Sequence, residues 1–257
     1  MRIISLNIWG GKIYKSLLDF IKDQSGTTDI FCFQEVFKTS SDVLVSSGFR
    51  TNIFNEVGSI LKNFNGYFSE SFDGYDMVKL VNFDLHLGLA IFVRKKITVS
   101  SYRKEIIHLA EGNVIRKEDY YETSRSIQSI QFNINSKLFN IYNFHGLWIP
   151  DHIGKIDNKE RIQQSNKIIK FMQEDKGEKI LVGDFNLDPD TKSLKILEQN
   201  MRNLIREYGI QTTRSKLYTR KHKFADYTLV SSGVKVKGFS VPNISISDHL
   251  PMVLEFK

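Results

Sequence analysis

The sequence predicts one mixed α/β domain spanning residues 1–257. Apolar strand-like runs alternate with amphipathic helical stretches, which points to strands and helices packed in layers. Some strands follow one another without an intervening helix, so hairpins must join the crossovers and the sheets should be mixed. The 257 residues are 41% hydrophobic and 12% aromatic, enough for a sizeable core, and no repeat, low-complexity tract or Pro/Gly-rich linker divides them.

The elements follow in order. Arg2 to Asn7 reads as a strand with Ile4 and Leu6 on one face and Ile3, Ser5 and Asn7 on the other. Lys15 to Lys22 reads as a helix turning Leu17, Leu18 and Ile21 inward. Ile30 to Phe33 is a continuous apolar strand, as expected where both faces are covered, and Gln34-Glu35 lies at its end. Val43 to Ser47 and Glu56 to Phe64 read as helix pieces. Gly66 to Leu85 reads mainly as loop, because its aromatics are interleaved with acids. Leu87 to Val93 is a strand, and Lys104 to Arg125 a charged loop or surface hairpin. Gln128 to Asn135 alternates, with Ile130, Phe132 and Ile134 on one side. Phe139 to Phe144 is a strand that delivers His145. Asn158 to Glu174 is the clearest helix, with Ile162, Ile169 and Met172 on one face and Ile168 and Phe171 beside it. Lys179 to Val182 is a strand running to Asp184. Ser193 to Met201 is a helix capped by Thr191 or Ser193. Tyr227 to Val230 and Met252 to Phe256 are closing strands.

The formal net charge is +7, which favours polyanionic partners by long-range attraction. Cys32 is the single cysteine, so no intramolecular disulfide forms, and its place in an apolar run predicts a buried thiol. Met1-Arg2 runs straight into a strand with no long apolar segment. That predicts no signal peptide, no membrane span and a cytoplasmic protein.

The chemistry sits at the ends of the strands. Asn7, Gln34-Glu35, Gly183-Asp184-Phe185-Asn186, Asp226 and Ser247-Asp248-His249 each follow or end an apolar run, and each supplies an acid, an amide or an imidazole. Oxygen-rich side chains gathered this way suit a hard divalent cation that a phosphate then bridges. In chain order, Ile3–Asn7 (IISLN), Phe33–Glu35 (FQE), Asn143–His145 (NFH), Gly183–Asn186 (GDFN), Ala225–Tyr227 (ADY) and Ser247–Pro251 (SDHLP) resemble the endonuclease/exonuclease/phosphatase superfamily. The resemblance covers essentially the whole chain. It implies a four-layer α/β/β/α sandwich, two packed sheets with helices outside and the site at one end.

The resemblance also implies roles. Glu35 would be the main ligand for Mg²⁺, with Mn²⁺ as a substitute. Asn7 would bind the metal or hold Glu35, and Asp248 would complete the metal shell. Asp184 would orient or deprotonate the attacking water, and Asn186 would donate its amide to the phosphoryl oxygens. His249 would meet the scissile phosphate as an imidazolium or proton donor, with Asp226 accepting from its other nitrogen and raising its pKa. His145 would be a second phosphate contact, with Asp76 and Asp84 as candidate carboxylate partners. A histidine there resembles the deoxyribonuclease, sphingomyelinase, deadenylase and tyrosyl-DNA phosphodiesterase branches. The abasic-site branch carries an Asn-containing loop instead.

Substrate choice rests on less. Arg214 to Lys223 holds Arg214, Lys216, Arg220, Lys221 and Lys223 with Leu217 and Tyr218 and no acid. Immediately before Asp226, it should lie over the site and suit a nucleic-acid backbone with one stacked base. Trp9 and Trp148 would line the cleft. The first reading is therefore a monomeric Mg²⁺-dependent phosphodiesterase acting on DNA or RNA. A lipid or small-molecule phosphoesterase is the alternative. Against it stand the absent leader, the absent WxGDxN pattern of inositol polyphosphate 5-phosphatases and the lack of an exposed apolar hairpin visible in the sequence. A non-catalytic binding module is the third reading, disfavoured because clustered carboxylates cost energy that a binding role does not require.

Overall fold

In the computed structural model, which describes residues 1–110, 112–118, 120–150 and 154–257, two six-stranded mixed sheets pack face to face. The first has the order Val236–Ser240, Met252–Phe256, Arg2–Asn7, Ile30–Lys38, His86–Arg94, Phe64–Asp73. The second runs Met201–Asn203, Asp226–Ser231, Glu178–Asp184, Lys137–His145, Arg125–Ile134, Val99–His108. Each sheet contains one parallel pair, Arg2–Asn7 with Ile30–Lys38 and Lys137–His145 with Glu178–Asp184.

Side-chain alternation builds the layers. Ile4, Leu6, Phe31 and Phe33 point away from the second sheet and pack with Leu17, Ile21, Ile53 and Val57 of the helices Tyr14–Gln24 and Ile53–Ile60. Ile3, Ile30 and Cys32 point the other way, into a core shared with Ile130 and Ile141. The helices Lys159–Gln173 and Lys192–Glu198 cover the outer face of the second sheet through Ile168, Phe171, Leu194 and Leu197. The result is the α/β/β/α sandwich. No helix among the described residues is long and apolar enough to cross a membrane.

Polar residues also join the sheets. Gln34 Nε2 donates to Asn143 Oδ1 at 2.6 Å, and Asn143 Nδ2 donates to the carbonyls of Phe33 and Ala90 at 3.0 and 3.2 Å. All of these groups are buried, so the bonds fix how the sheets meet just below the site.

Several elements differ from expectation. The second strand continues to Lys38, and Gln34-Glu35 occupies a bulge between Phe33 and Val36 rather than its end. Val43–Ser47 is not helical. Val45–Ser46 pairs with Phe49–Arg50 around Ser47 and Gly48, both at positive φ, because the Ser-Gly turn and β-branched valines favour a hairpin. The next helix is Ile53–Ile60, earlier than Glu56–Phe64. The first part of the expected loop, from Gly66 to Asp73, belongs to the edge strand Phe64–Asp73, whose aromatics face neighbouring strands and helices, while Gly74 to Leu85 is loop as expected. Lys104–His108 ends the strand Val99–His108, and Val114–Arg116 with Tyr121–Thr123 forms the surface hairpin; Glu111 and Asp119 lie outside the described residues.

The helix Lys159–Gln173 has the expected place, with Asn158 capping it through Arg161 N at 2.8 Å. Its buried face holds Arg161, Gln164, Ser165, Ile168, Phe171 and, as expected, Met172, leaving Ile162 and Ile169 half-buried. Arg161 tolerates burial because its guanidinium donates to the carbonyls of Gly154, Ile156 and Leu147. Thr191 does cap the next helix, which ends at Glu198, and Met201–Asn203 becomes an edge strand.

Candidate active site

Strand register brings the site together. His145 stands directly beside Asp184, and Asp184 beside Asp226, on three adjacent strands of the second sheet. Asn7 is paired with Gln34 on the first sheet, one residue before Glu35. Two backbone devices aim the remaining groups. Glu35 and Asn186 adopt φ of 54° and 53°, and Trp9 has φ of 50°. Left-handed backbone at non-glycine residues carries strain, and here all three instances face one cavity. The second device is a short bridge between Arg214 and His249, closed by Leu250 N to Thr213 O and Ser215 N to Asp248 O. It lays the basic segment beside the Ser247–His249 loop.

Asn7 Nδ2 donates to Glu35 Oε1 at 2.9 Å and to Asp184 Oδ2 at 3.1 Å, while its Oδ1 accepts from Trp9 N at 2.9 Å. Of the two roles expected of Asn7, holding Glu35 is the one this geometry displays. The amide also prevents two buried carboxylates from facing each other unrelieved. Asp184 Oδ1 accepts from Asn186 N at 2.9 Å. His249 Nδ1 lies 2.8 Å from both oxygens of Asp226, and its Nε2 lies 3.5 Å from Asp184 Oδ2. Arg214 Nη1 contacts His249 Nε2 and lies 3.5 Å from Asp248 Oδ2, and Arg214 stacks on Tyr218 at 4.1 Å.

His145 corrects one expectation. Asp76 is engaged by the Ser46 and Ser47 hydroxyls and the Val78 and Lys79 amides, and Asp84 by Ser40 and His86. Neither reaches His145, since their loops fold onto the Val45–Arg50 hairpin and the edge of the first sheet. His145 Nε2 instead lies 3.6 Å from Asp184 Oδ2 and 3.9 Å from Glu35 Oε1, and Arg125 Nη1 donates to its Nδ1 at 3.3 Å. A ring that accepts at Nδ1 carries its proton at Nε2, so His145 is a neutral donor facing the two carboxylates.

Charge follows this geometry. Burial, with Asp248 and Asp184 nearby, pushes the Glu35 carboxyl up to about 7. Burial would raise Asp184 too, but His249, His145, Lys155 and Arg214 outweigh it and hold that carboxyl well below the usual range. Burial and the Arg125 charge lower His145. For His249, burial and Arg214 act downward, and Asp226, Asp248 and Asp184 overcome them and raise it.

Two cations in this region lie outside the sequence motifs. Arg125 is buried with its guanidinium against His145. Lys155 is also buried, its ammonium pushed down to about 8 by burial and Arg214, and it donates to the Phe224 carbonyl at 3.4 Å. A lone charged residue in a segment without apolar periodicity gives no signal, so neither stood out from the sequence.

The cavity has a volume of about 430 Å³. Glu35, Asp184, Asn186, Asp248, His145 and His249 line its floor. Trp9, Trp148, Arg214, Tyr218 and Arg220 line its walls, with Phe49, Phe72, Tyr75 and Tyr121 on the remaining side. Asn7 and Asp226 stand behind Glu35 and His249. Lys216 and Lys221 do not line the cavity. Both are exposed, whereas Arg214, Leu217 and Tyr218 of the same segment face the cavity.

Carboxylate and imidazole atoms of Glu35, His145 and Asp184 lie within 4.8 Å of one another. The donor set fits a hard divalent cation: Glu35 is destabilised as an anion by neighbouring acids, and a cation among them would relieve that repulsion.

The comparisons agree with this architecture. The family model described as Endonuclease/Exonuclease/phosphatase family matches residues 4–249, and the chain belongs to that family of phosphoester hydrolases, which generally use a divalent metal. An endonuclease/exonuclease/phosphatase family protein from Leptotrichia buccalis superposes with a TM-score of 0.73 at 18% identity, covering 100% of this chain and 99% of that one. A mannosyl-6-phosphatase from Bacteroides thetaiotaomicron gives 0.71 at 17% identity, covering 100% and 99%. The human Nocturnin catalytic domain gives 0.66 at 18%, covering 100% and 93%. No curated protein matches the sequence.

Proposed function

We propose that the protein is a Mg²⁺-dependent phosphodiesterase that acts on nucleic acid by in-line attack of water on phosphorus. The observation that carries this reading is the meeting of Glu35, Asp184 and His249 on the floor of one cavity whose walls hold Trp9, Trp148, Tyr218 and Arg220. Aromatic faces beside cations suit a base next to its phosphate.

The residues divide the work. Glu35, with Asp248 and Asp184 beside it, would hold the cation. When bound, the cation spreads charge on the non-bridging oxygens and assists the leaving oxygen. Asp184 stays ionised because four cationic or imidazole groups surround it, so it can align the attacking water by accepting its hydrogen bond. His145 offers Nε2–H to a phosphoryl oxygen without exchanging a proton. Asn186 supplies a second neutral donor from its amide. His249 takes its extra proton when Arg214 turns from Nε2 to the substrate, and Asp226 then stabilises the imidazolium.

A lipid phosphoester remains the second reading, for a specific reason. The hairpin Val45–Arg50 and the loop bearing Val78 and Leu80 expose apolar side chains, with Leu44 63% and Val78 61% accessible. The expectation that no apolar hairpin is exposed does not hold. These loops adjoin the cavity through Phe49 and Met77.

The test offers the protein labelled single- and double-stranded DNA, RNA, 5′-tyrosyl DNA and sphingomyelin, with Mg²⁺ or with EDTA. Metal-dependent cleavage of a nucleic acid supports the first reading. Cleavage of sphingomyelin alone overturns it.

A further inference from the structure

We infer that Arg125 is a substrate-binding residue whose guanidinium receives a phosphoryl oxygen from the side of the cavity opposite Arg214. The inference rests on the phosphoester reading above and adds a residue to it.

Three observations carry it. The first is aim. Arg125 begins the strand Arg125–Ile134, and the register with Val99–His108 shifts between Arg125 and Ser126. A bulge re-aims a side chain, and the strand bearing Glu35 uses the same device on the facing sheet. The second is incomplete pairing. Arg125 is 6% exposed and lines the cavity, yet its Nε has no hydrogen-bond partner and its Nη1 meets only the neutral Nδ1 of His145. No carboxylate lies within ion-pair distance of it among the described residues. A buried guanidinium without an anion costs free energy that an incoming anion recovers. The third is placement. Arg125 donates to His145, whose Nε2 lies 3.6 Å from Asp184 Oδ2, and Arg214 contacts His249, whose Nε2 lies 3.5 Å from the same oxygen. Asp184 is common to both, so the two guanidiniums flank the carboxylate that faces the water.

Arg214 is already engaged by Asp248, His249 and Tyr218. Arg125 is the less committed of the two, and its planar fork matches two phosphate oxygens. The side of the cavity next to it is aromatic, with Tyr75 and Tyr121 in ring contact at 4.9 Å. Water is therefore poorly placed to replace the anion there.

The experiment measures binding of inorganic phosphate by calorimetry in the presence of Mg²⁺, for the parent, Arg125→Met and Arg125→Lys. Charged hydrogen bonds of this kind are worth roughly 10- to 100-fold in affinity. Arg125→Met should weaken phosphate by about that factor while Mg²⁺ binds no more weakly than to the parent and the circular dichroism spectrum stays unchanged. Arg125→Lys should keep the fold and still bind at least about fivefold more weakly, because an ammonium cannot reproduce the fork. Should Arg125→Met fail to fold, Arg125→Lys decides the matter alone. Phosphate affinity within twofold of the parent in a folded variant overturns the assignment, as does a parent that binds no phosphate. Failure of the hydrolytic reading looks different: the parent would bind phosphate and cleave no ester.

Discussion

Replacing Asp226 with Asn tests the role of His249 most directly. The change removes one negative charge 2.8 Å from Nδ1 and keeps the shape of the side chain. Both partners are nearly inaccessible to solvent, so little screening dilutes the effect. Losing a charge-assisted bond of this kind costs about 1.5–3 kcal/mol of imidazolium stabilisation, and one pKa unit corresponds to about 1.4 kcal/mol. The His249 pKa should therefore fall by about 1–2 units. Asp226 is among the groups that raise it, so the direction of the change is downward. If His249 works as the imidazolium, the basic limb of the pH profile of kcat/KM must move to lower pH by that amount. At pH well above the parent's basic limb the variant should retain between about 1% and 10% of the parent rate, and the deficit should narrow as the pH is lowered. The assay is initial rate against pH on a p-nitrophenyl phosphodiester at saturating Mg²⁺, with inhibition controls at each pH. A basic limb that stays in place, or moves upward, would refute the argument that Asp226 acts through the charge of His249.

Glu35 should couple cation affinity to pH. With its carboxyl pushed up to about 7, a cation must displace a proton below that pH, so affinity should fall about tenfold per pH unit. Titration of Mn²⁺ at pH 5.5, 6.5 and 7.5 reads this directly, and Glu35→Gln should bind more weakly with that slope lost. Gly183→Ala should destabilise the fold by about 3 kcal/mol or more, since φ is +142° and a Cβ would stand 2.0 Å from the Phe144 carbonyl oxygen. Urea unfolding of the purified variant measures it. Asn143→Ala leaves Gln34 Nε2 and two buried carbonyls short of partners and should cost about 2–4 kcal/mol by the same assay. Cys32 is fully buried and burial pushes its thiol pKa up, so a disulfide reagent should label nothing in native buffer and one thiol in guanidinium.

The strands that carry the site were legible because apolar alternation survives into the folded state. Ile4 and Leu6 face the helices and Asn7 faces the second sheet, as period-two alternation requires. The motif residues Glu35, Asp184, Asp226 and His249 were legible because each interrupts an apolar run with a charge that a core would not accept unpaired. What could not be read was anything decided by tertiary partners. Arg161 and Gln164 replaced Ile162 and Ile169 on the buried face of the helix Lys159–Gln173, because nearby carbonyls needed the Arg161 donors and the Leu147 amide needed the Gln164 Oε1 acceptor. The pairing of Val45–Ser46 with Phe49–Arg50 overrode an apparent helix. The partner of His145 is an arginine twenty residues earlier, at the start of the neighbouring strand, and no spacing rule joins the two.

The same limit explains why the site is built on backbone irregularity. A regular strand can offer only alternate side chains to one face, so Gln34 and Glu35 could not both serve the interior. The bulge and the left-handed backbone at Glu35 break that alternation: Gln34 reaches Asn143 across the sheets while Glu35 reaches Asn7 and the cavity. Asn186 does the same after Asp184, returning its amide N–H to the carboxylate and its side chain to the Gly146 carbonyl. Register alone places His145, Asp184 and Asp226 in a row across three strands; the bulges then bring Glu35 and Arg125 toward that row from two sheets. Straightening either bulge by deleting one residue would flip every side chain beyond it to the opposite face. The catalytic residues closest to these irregularities should therefore tolerate conservative substitution far better than the strand tolerates a change in length.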